Sequence, residues 1–148
     1  MTDFKYLTEQ FADIRILRFQ VPGFDELSED KKIQLYYLQQ AALWGRDLIY
    51  DQNYKHNILI RGVLEHIYKH YQGNRNNEAF EQFTTYLKRV WFSNGIHHHY
   101  SMDKFKPGFT QAYFEDILKG LGMTMNKEAL KAIFDPSYDN KKVNLDVS

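Results

Sequence analysis

The sequence predicts a mainly α-helical protein, a domain of about five or six helices with one or two short peripheral strands. Over most of the chain, apolar residues recur at the three- and four-residue spacing that places them on one helix face. Most segments with this spacing begin at capping residues and end at glycine, at Asn-Gly or at Asp-Pro. Alternation typical of strands is confined to two short runs, at residues 14–21 and, strictly, at residues 142–148. At 148 residues, we expect one helical domain covering residues 1–148.

The first elements are a short amphipathic segment over about residues 3–11, with helical periodicity, and a strand over residues 14–21 that Pro22-Gly23 ends. A long helix follows, from Ser28 to about Asp51. Ser28 suits an N-cap, and the acidic residues after it lie at the positive end of the helix dipole. Because apolar side chains cover most of its circumference, we expect this helix to be central and buried.

Four further helices are predicted from their caps and apolar faces. They begin at about Asn57, Asn77, Thr110 and Asn126, and end near Gly73, Asn94-Gly95, Gly120 and Phe134. The terminal run 142–148 alternates as a strand does, with Val143, Leu145 and Val147 on one side. A lone strand leaves its backbone unpaired, so we expect it to pair with residues 14–21, with another chain, or with sequence beyond residue 148.

Composition limits the chemistry and the partners. The chain holds no cysteine, which excludes a disulfide framework, a thiolate zinc site and a cysteine nucleophile, and suits a reducing compartment. Because 19 basic residues balance 19 acidic ones, nucleic acid is not expected as a partner. No apolar run is long enough for a membrane span, and the start lacks the plan of a signal peptide, so we expect a cytoplasmic protein without a membrane partner.

Aromatic residues are more numerous than a core of this size can easily enclose. The chain has 11 Phe, 11 Tyr and 2 Trp, or 16% aromatic residues. We therefore expect some of these rings to lie on a surface that contacts a partner.

The segment from Asn94 to Tyr100 contains three consecutive histidines. If the backbone is extended there, His97 and His99 project to the same side and form half of a zinc or copper site. A complete site needs a third ligand, which the sequence does not locate. Two alternatives stay open: a polar role in a ligand-facing loop, or histidines at a helix exit that bond to neighbours or solvent.

His66 and His70 are four residues apart and share one helix face. A helical zinc hydrolase would need Glu directly after the first His, whereas here Glu65 precedes it and no His-Glu pair occurs in the chain. We expect boundary positions with one hydrogen bond each. A small metal-binding protein that combines His97 and His99 with His66 or His70 is a further alternative.

Three runs together resemble the N-terminal region of bacterial dipeptidyl peptidase III: ADIRILRFQVPGF (residues 12–24), QAALWGRDLIYDQN (residues 40–53) and KRVWFSNGIHHHY (residues 88–100). Members of that family are two-lobed zinc metallopeptidases, hydrolases of the aminopeptidase kind that release dipeptides from the N-termini of short peptides. They bind zinc through His-Glu-x-x-Gly-His and a later Glu, and neither that motif nor a catalytic residue of the family is found in this chain.

The resemblance implies that the chain is an N-terminal fragment, inactive alone, whose partners are the remainder of the parent peptidase and, in the full enzyme, short peptides. Zinc is then a cofactor of the full-length enzyme and not of this chain. The resemblance makes Asn94, His97, His98, His99 and Tyr100 candidates for lining the substrate cleft. The alternative function is a complete, non-enzymatic helical module that binds a protein or a peptide.

Overall fold

The computed structural model describes residues 4–140 and confirms a mainly α protein with a small antiparallel sheet. Its elements in chain order are the strands β1 (Leu7–Phe11) and β2 (Ile14–Leu17), a short 3₁₀ turn (Phe24–Glu26), and the helices α1 (Glu29–Trp44), α2 (Arg46–Asn53), α3 (Asn57–His70), α4 (Glu78–Ser93), α5 (Gln111–Gly120) and α6 (Lys127–Phe134). The predicted strand at residues 142–148 lies outside the described residues.

Two compact units make up the chain, Met1–Arg46 and Asp47–Ser148. The prediction of a single domain over residues 1–148 stays a prediction.

In the first unit, β1 and β2 form an antiparallel hairpin, with Phe11 opposite Ile14 and Leu7 opposite Leu17. The helical periodicity predicted for residues 3–11 is therefore wrong for Leu7–Phe11. The chain reverses at Ala12, whose φ of 48° is left-handed, and strand pairing then satisfies backbone groups that a short helix would leave unpaired at its ends. The predicted strand over residues 14–21 ends earlier, at Leu17.

The predicted long helix over residues 28–51 is two helices, because α1 ends at Trp44 and α2 starts at Arg46, on either side of Gly45. The prediction that this helix is buried is wrong for α1, since none of the residues Glu29–Trp44 is buried. Trp44 is 87% exposed. Its apolar side chains point in all directions, and the described part of its own unit adds only the hairpin and the 3₁₀ turn.

The second unit has its core where α3, α4, α5 and α6 contribute apolar side chains. The fully buried members include Ile60, Leu64, Ile67, Phe83, Leu87, Val90 and Phe114. Aromatic rings run through this core in contact with one another: Phe80 lies 5.4 Å from Phe83, and Phe83 lies 5.6 Å from Phe109, measured between ring centres. Other rings, among them Trp44 and Tyr100, are exposed, as the aromatic surplus predicts.

Three of the predicted helix caps are confirmed. The side chains of Asn77, Thr110 and Asn126 accept hydrogen bonds from backbone N–H groups in the first turns of α4, α5 and α6, at 2.8, 3.2 and 2.7 Å. Asn57, predicted as a cap of α3, is wrong in that role. It is the first residue of α3, and its side chain makes long-range bonds instead.

Candidate functional site

A hairpin follows α4 and contains the three consecutive histidines. We call residues 96–105 the histidine hairpin. The N–H of Phe105 donates to the carbonyl of Ile96 at 2.9 Å, and the N–H of His98 donates to the carbonyl of Asp103 at 2.7 Å. The chain turns at residues 99–101. The condition for the zinc or copper half-site, an extended backbone over residues 96–100, is therefore not met, because the chain turns at residues 99–101 and pairs with residues 103–105.

The hairpin is anchored by Asn57, which is completely buried. Its side-chain oxygen accepts from the N–H of Ile96 at 3.1 Å, and its Nδ2 donates to the carbonyls of Tyr50 at 3.1 Å and Asn94 at 3.4 Å. Gly95 passes so close that a Cβ there would lie 2.1 Å from this Nδ2, and its φ of 148° also favours glycine. One buried amide thus fixes the point where the hairpin leaves α4. The sequence does not predict this anchoring role, because Asn at the start of a helix is usually interpreted as an N-cap.

Helix α2 supports the same point of the chain. Asn53 donates from Nδ2 to the carbonyl of Asn94 at 3.1 Å, and the Tyr50 hydroxyl donates to the carbonyl of Trp91 at 3.5 Å. Tyr50 is itself held by Arg61, whose guanidinium lies 4.5 Å from its ring centre and pairs with Asp47 at 2.7 Å. The end of α4 is therefore braced from both α2 and α3.

The three histidines occupy different environments. His97 is buried, 5% exposed, with its ring 5.1 Å from that of Tyr54. The half-buried His98 accepts backbone N–H bonds from Tyr100 and Ser101 at its Nδ1, at 3.2 and 3.1 Å. His99 and Tyr100 are exposed, with ring centres 4.2 Å apart. Of the residues that the sequence proposed as a site, His98, His99 and Tyr100 lie together at the hairpin tip. His97 differs from them because its side chain is buried.

A small cavity of about 140 Å³ lies between the hairpin and its supports. Met102 lines it together with polar side chains, which include Asn53, Asn57, the buried Ser93 and all three histidines. Ser93 Oγ lies 3.4 Å from His99 Nδ1. At about 30 Å³ per water molecule, the space suits roughly four or five waters or a small group of the same volume.

The described residues do not complete the zinc or copper site considered for His97 and His99. Within residues 4–140, no three His, Cys, Asp or Glu side chains form a group that could hold a metal ion. His97 and His99 thus lack, in the described part, the third protein ligand that a zinc site needs. His66 and His70 lie on α3. The prediction that they occupy boundary positions is wrong, because both side chains are exposed. Their ring centres are 4.3 Å apart.

The far end of the hairpin is tied to the end of α6. The ammonium of the half-buried Lys104 donates to the carbonyls of Ala132 at 3.4 Å, Asp135 at 2.8 Å and Tyr138. Desolvation lowers the pKa of this lysine. Because these carbonyls lie at and after the C-terminus of α6, the cation also interacts favourably with the helix dipole.

A second polar contact joins the start of α3 to the segment after α6. The Tyr54 hydroxyl donates to Asp139 at 2.9 Å, and Lys55 pairs with the same carboxylate at 3.2 Å. These two bonds hold the pKa of Asp139 below its usual value. Burial, and then the bond to Asp139, raise the pKa of Tyr54. The segment after α6 is therefore held both to the histidine hairpin, through Lys104, and to the start of α3, through Tyr54 and Lys55.

Among the described residues, no helix has both the length and the apolar character needed to cross a membrane.

Comparison with models of known protein families gave no match for this chain, and comparison with curated proteins gave none.

Proposed function

We propose that this chain is the N-terminal part of a dipeptidyl peptidase III-like zinc metallopeptidase, where it acts as scaffold and lines part of the peptide-binding cleft. One observation carries the proposal. Two of the three runs that resemble the family, residues 40–53 and 88–100, bond to each other: Asn53 donates to Asn94, and Tyr50 donates to Trp91. Bonds between runs that are distant in sequence are expected if the resemblance reflects a shared site.

The histidine hairpin suits contact with a peptide. Its backbone is held by the buried Asn57, so it would need little ordering on binding. Its tip offers Tyr100, 83% exposed, and the imidazole of His99, whose ring centre lies 5.3 Å from that of Phe92. Such groups bind peptides by ring contact and by hydrogen bonds to the main chain.

The proposal assigns binding, not bond cleavage, to this chain. In such peptidases zinc supplies an activated water for attack on the peptide carbonyl, and its ligands and the carboxylate base would come from the rest of the enzyme. A cytoplasmic location belongs to the same proposal, supported by the absence of cysteine.

The first test is the reading frame of the gene, which we expect to continue into His-Glu-x-x-Gly-His. We expect the 148-residue chain to release no dipeptide from dipeptide arylamides, and the longer protein to do so with zinc. A frame without that motif would refute the family assignment. Zinc-dependent release by the chain alone would refute its inactivity.

The cleft role has its own test in the longer protein. We expect Tyr100→Ala to raise the KM for a short peptide with a smaller effect on kcat, because the ring contributes to binding alone. Tyr6→Ala removes another exposed tyrosine, 53% exposed, and serves as the matched control. Equal kinetic constants for the two variants would refute the role of the hairpin in the cleft. They would not affect the family assignment.

A second function, a non-enzymatic protein-binding module, is favoured by α1. Residues 33–45 hold no charged side chain, and none of the residues Glu29–Trp44 is buried. An exposed helical stretch without charged side chains and rich in apolar ones needs a covering surface.

Fluorescence separates the two functions. In a Trp91→Phe background, Trp44 is the sole tryptophan. A blue shift of its emission in the longer protein, relative to the 148-residue chain, would support packing of α1 against the rest of the enzyme. The same emission in both proteins, or a natural stop codon after Ser148, would favour the binding module.

A further inference from the structure

We propose that His66 and His70 form an open chelating site with two protein ligands, unlike a closed zinc site, for a late divalent transition-metal ion, with Cu²⁺ bound more tightly than Ni²⁺ or Zn²⁺. The proposal is independent of the function proposed above. Neutral imidazole is a good ligand for all three ions, and their expected order follows the general affinity series for nitrogen ligands.

The geometry of α3 places the two rings together. Residues four apart lie one above the other on a helix face, which is also the spacing of the two histidines in helical zinc sites. Here the ring centres are already 4.3 Å apart, with an angle of 39° between the ring planes. Both side chains are exposed, so a small rotation of each ring brings a nitrogen from each within chelating distance without disturbing the core.

The surroundings favour a bound cation. His70 borders a cavity of about 510 Å³ between the end of α3 and α5, and Asp116 is among the residues that line it. The cavity gives room for the water molecules that would complete the coordination shell. The C-terminus of α3, at the turn of His70, carries the negative end of the helix dipole, which also attracts a cation.

The site would bind metal without hydrolytic chemistry. The nearest acidic neighbour in sequence, Glu65, accepts a hydrogen bond from Trp91 Nε1 at 2.9 Å and lies 3.7 Å from Arg61, so it is already engaged. A Glu directly after the first histidine, which would act as the base, is absent from the sequence. The bound ion would instead link two successive turns and stabilise the end of α3.

Site-resolved NMR on the whole 148-residue chain tests this proposal. Copper(II) chloride is added below one equivalent while the amide spectrum is recorded, because the paramagnetic ion broadens nearby signals. We expect the amides of residues 66–70 to broaden first. Calorimetry should show binding about a hundredfold weaker in His66→Gln and in His70→Gln, because each variant loses the gain from two linked ligands.

The matched control is His99→Gln, which removes an exposed imidazole from the hairpin and leaves the α3 pair intact. We expect it to keep the wild-type broadening at residues 66–70. Zinc should raise the Tm of the wild type and of His99→Gln, and leave that of His70→Gln unchanged. Broadening centred on residues 97–99, or wild-type affinity in either α3 variant, would overturn the proposal. Having two α3 variants keeps the test decisive if one folds poorly.

Discussion

Replacement of Asn57 by alanine is the sharpest test of how the histidine hairpin is held. The variant leaves the N–H of Ile96, a residue 1% exposed, without its partner, at a cost of about 1–3 kcal/mol. The bonds to the carbonyls of Tyr50 and Asn94 are also lost. The carbonyl of Tyr50 still accepts from the N–H of Tyr54, and the carbonyl of Asn94 still accepts from Asn53. Each of these two losses should therefore cost only about 0.5 kcal/mol, the lower end of the range for a hydrogen bond. The expected loss of stability is therefore about 2–4 kcal/mol.

Urea unfolding followed by circular dichroism measures this loss, and hydrogen exchange of the Ile96 amide locates it. Asn53→Ala is the matched control, because it removes a single partly buried bond and should cost about 0.5–1.5 kcal/mol. The double variant should lose more than the sum of the two singles, since the carbonyl of Asn94 then loses both of its side-chain donors. A cost below about 1 kcal/mol for Asn57→Ala, with unchanged exchange at Ile96, would refute the anchoring role.

Three further predictions concern the surroundings of the hairpin. Gly95→Ala should lose about 2–4 kcal/mol in urea unfolding, because its Cβ would meet an amide nitrogen at 2.1 Å, whereas Gly120→Ala, with open space around its Cβ, should lose nothing. Lys104→Met should lose about 1–2 kcal/mol, since three carbonyl contacts at the end of α6 disappear; a wild-type value would show that water replaces the lysine fully. Stability should fall as the pH drops through the lowered pKa of Asp139, below 3.8, and as it rises above 10, where the raised pKa of Tyr54 keeps the native hydroxyl protonated while the unfolded one ionises. Tyr54→Phe should flatten both slopes, and unchanged slopes would contradict this assignment.

Local rules predicted the features that local contacts decide. Asn77, Thr110 and Asn126 cap their helices because each bonds to an N–H group three residues later, within one turn. Asn57 has the same residue type at the same kind of position, yet it bonds to Ile96, 39 residues away. Nothing in the neighbouring sequence distinguishes these two cases, because the deciding contact is made by the tertiary fold.

The two larger errors have a common cause. The apolar residues of α1 predicted a buried helix, but periodicity reports which side chains need covering and not what covers them. Likewise, the spacing of apolar residues over 3–11 predicted a helical segment, whereas pairing with β2 makes Leu7–Phe11 a strand. In both cases the outcome depends on the presence or absence of a partner segment, which a sequence window does not contain.

The hydrogen bonds of His98 determine which of its two ring nitrogens carries the proton. A ring nitrogen that accepts from two backbone N–H groups carries no proton, so in the neutral ring the proton is on Nε2. The backbone therefore selects one tautomer, and the ring nitrogen left for another molecule is a hydrogen-bond donor. A chain lying along the tip would be bound at this nitrogen through a carbonyl oxygen and not through an amide N–H. Nitrogen-15 chemical shifts of the His98 ring would show this tautomer directly.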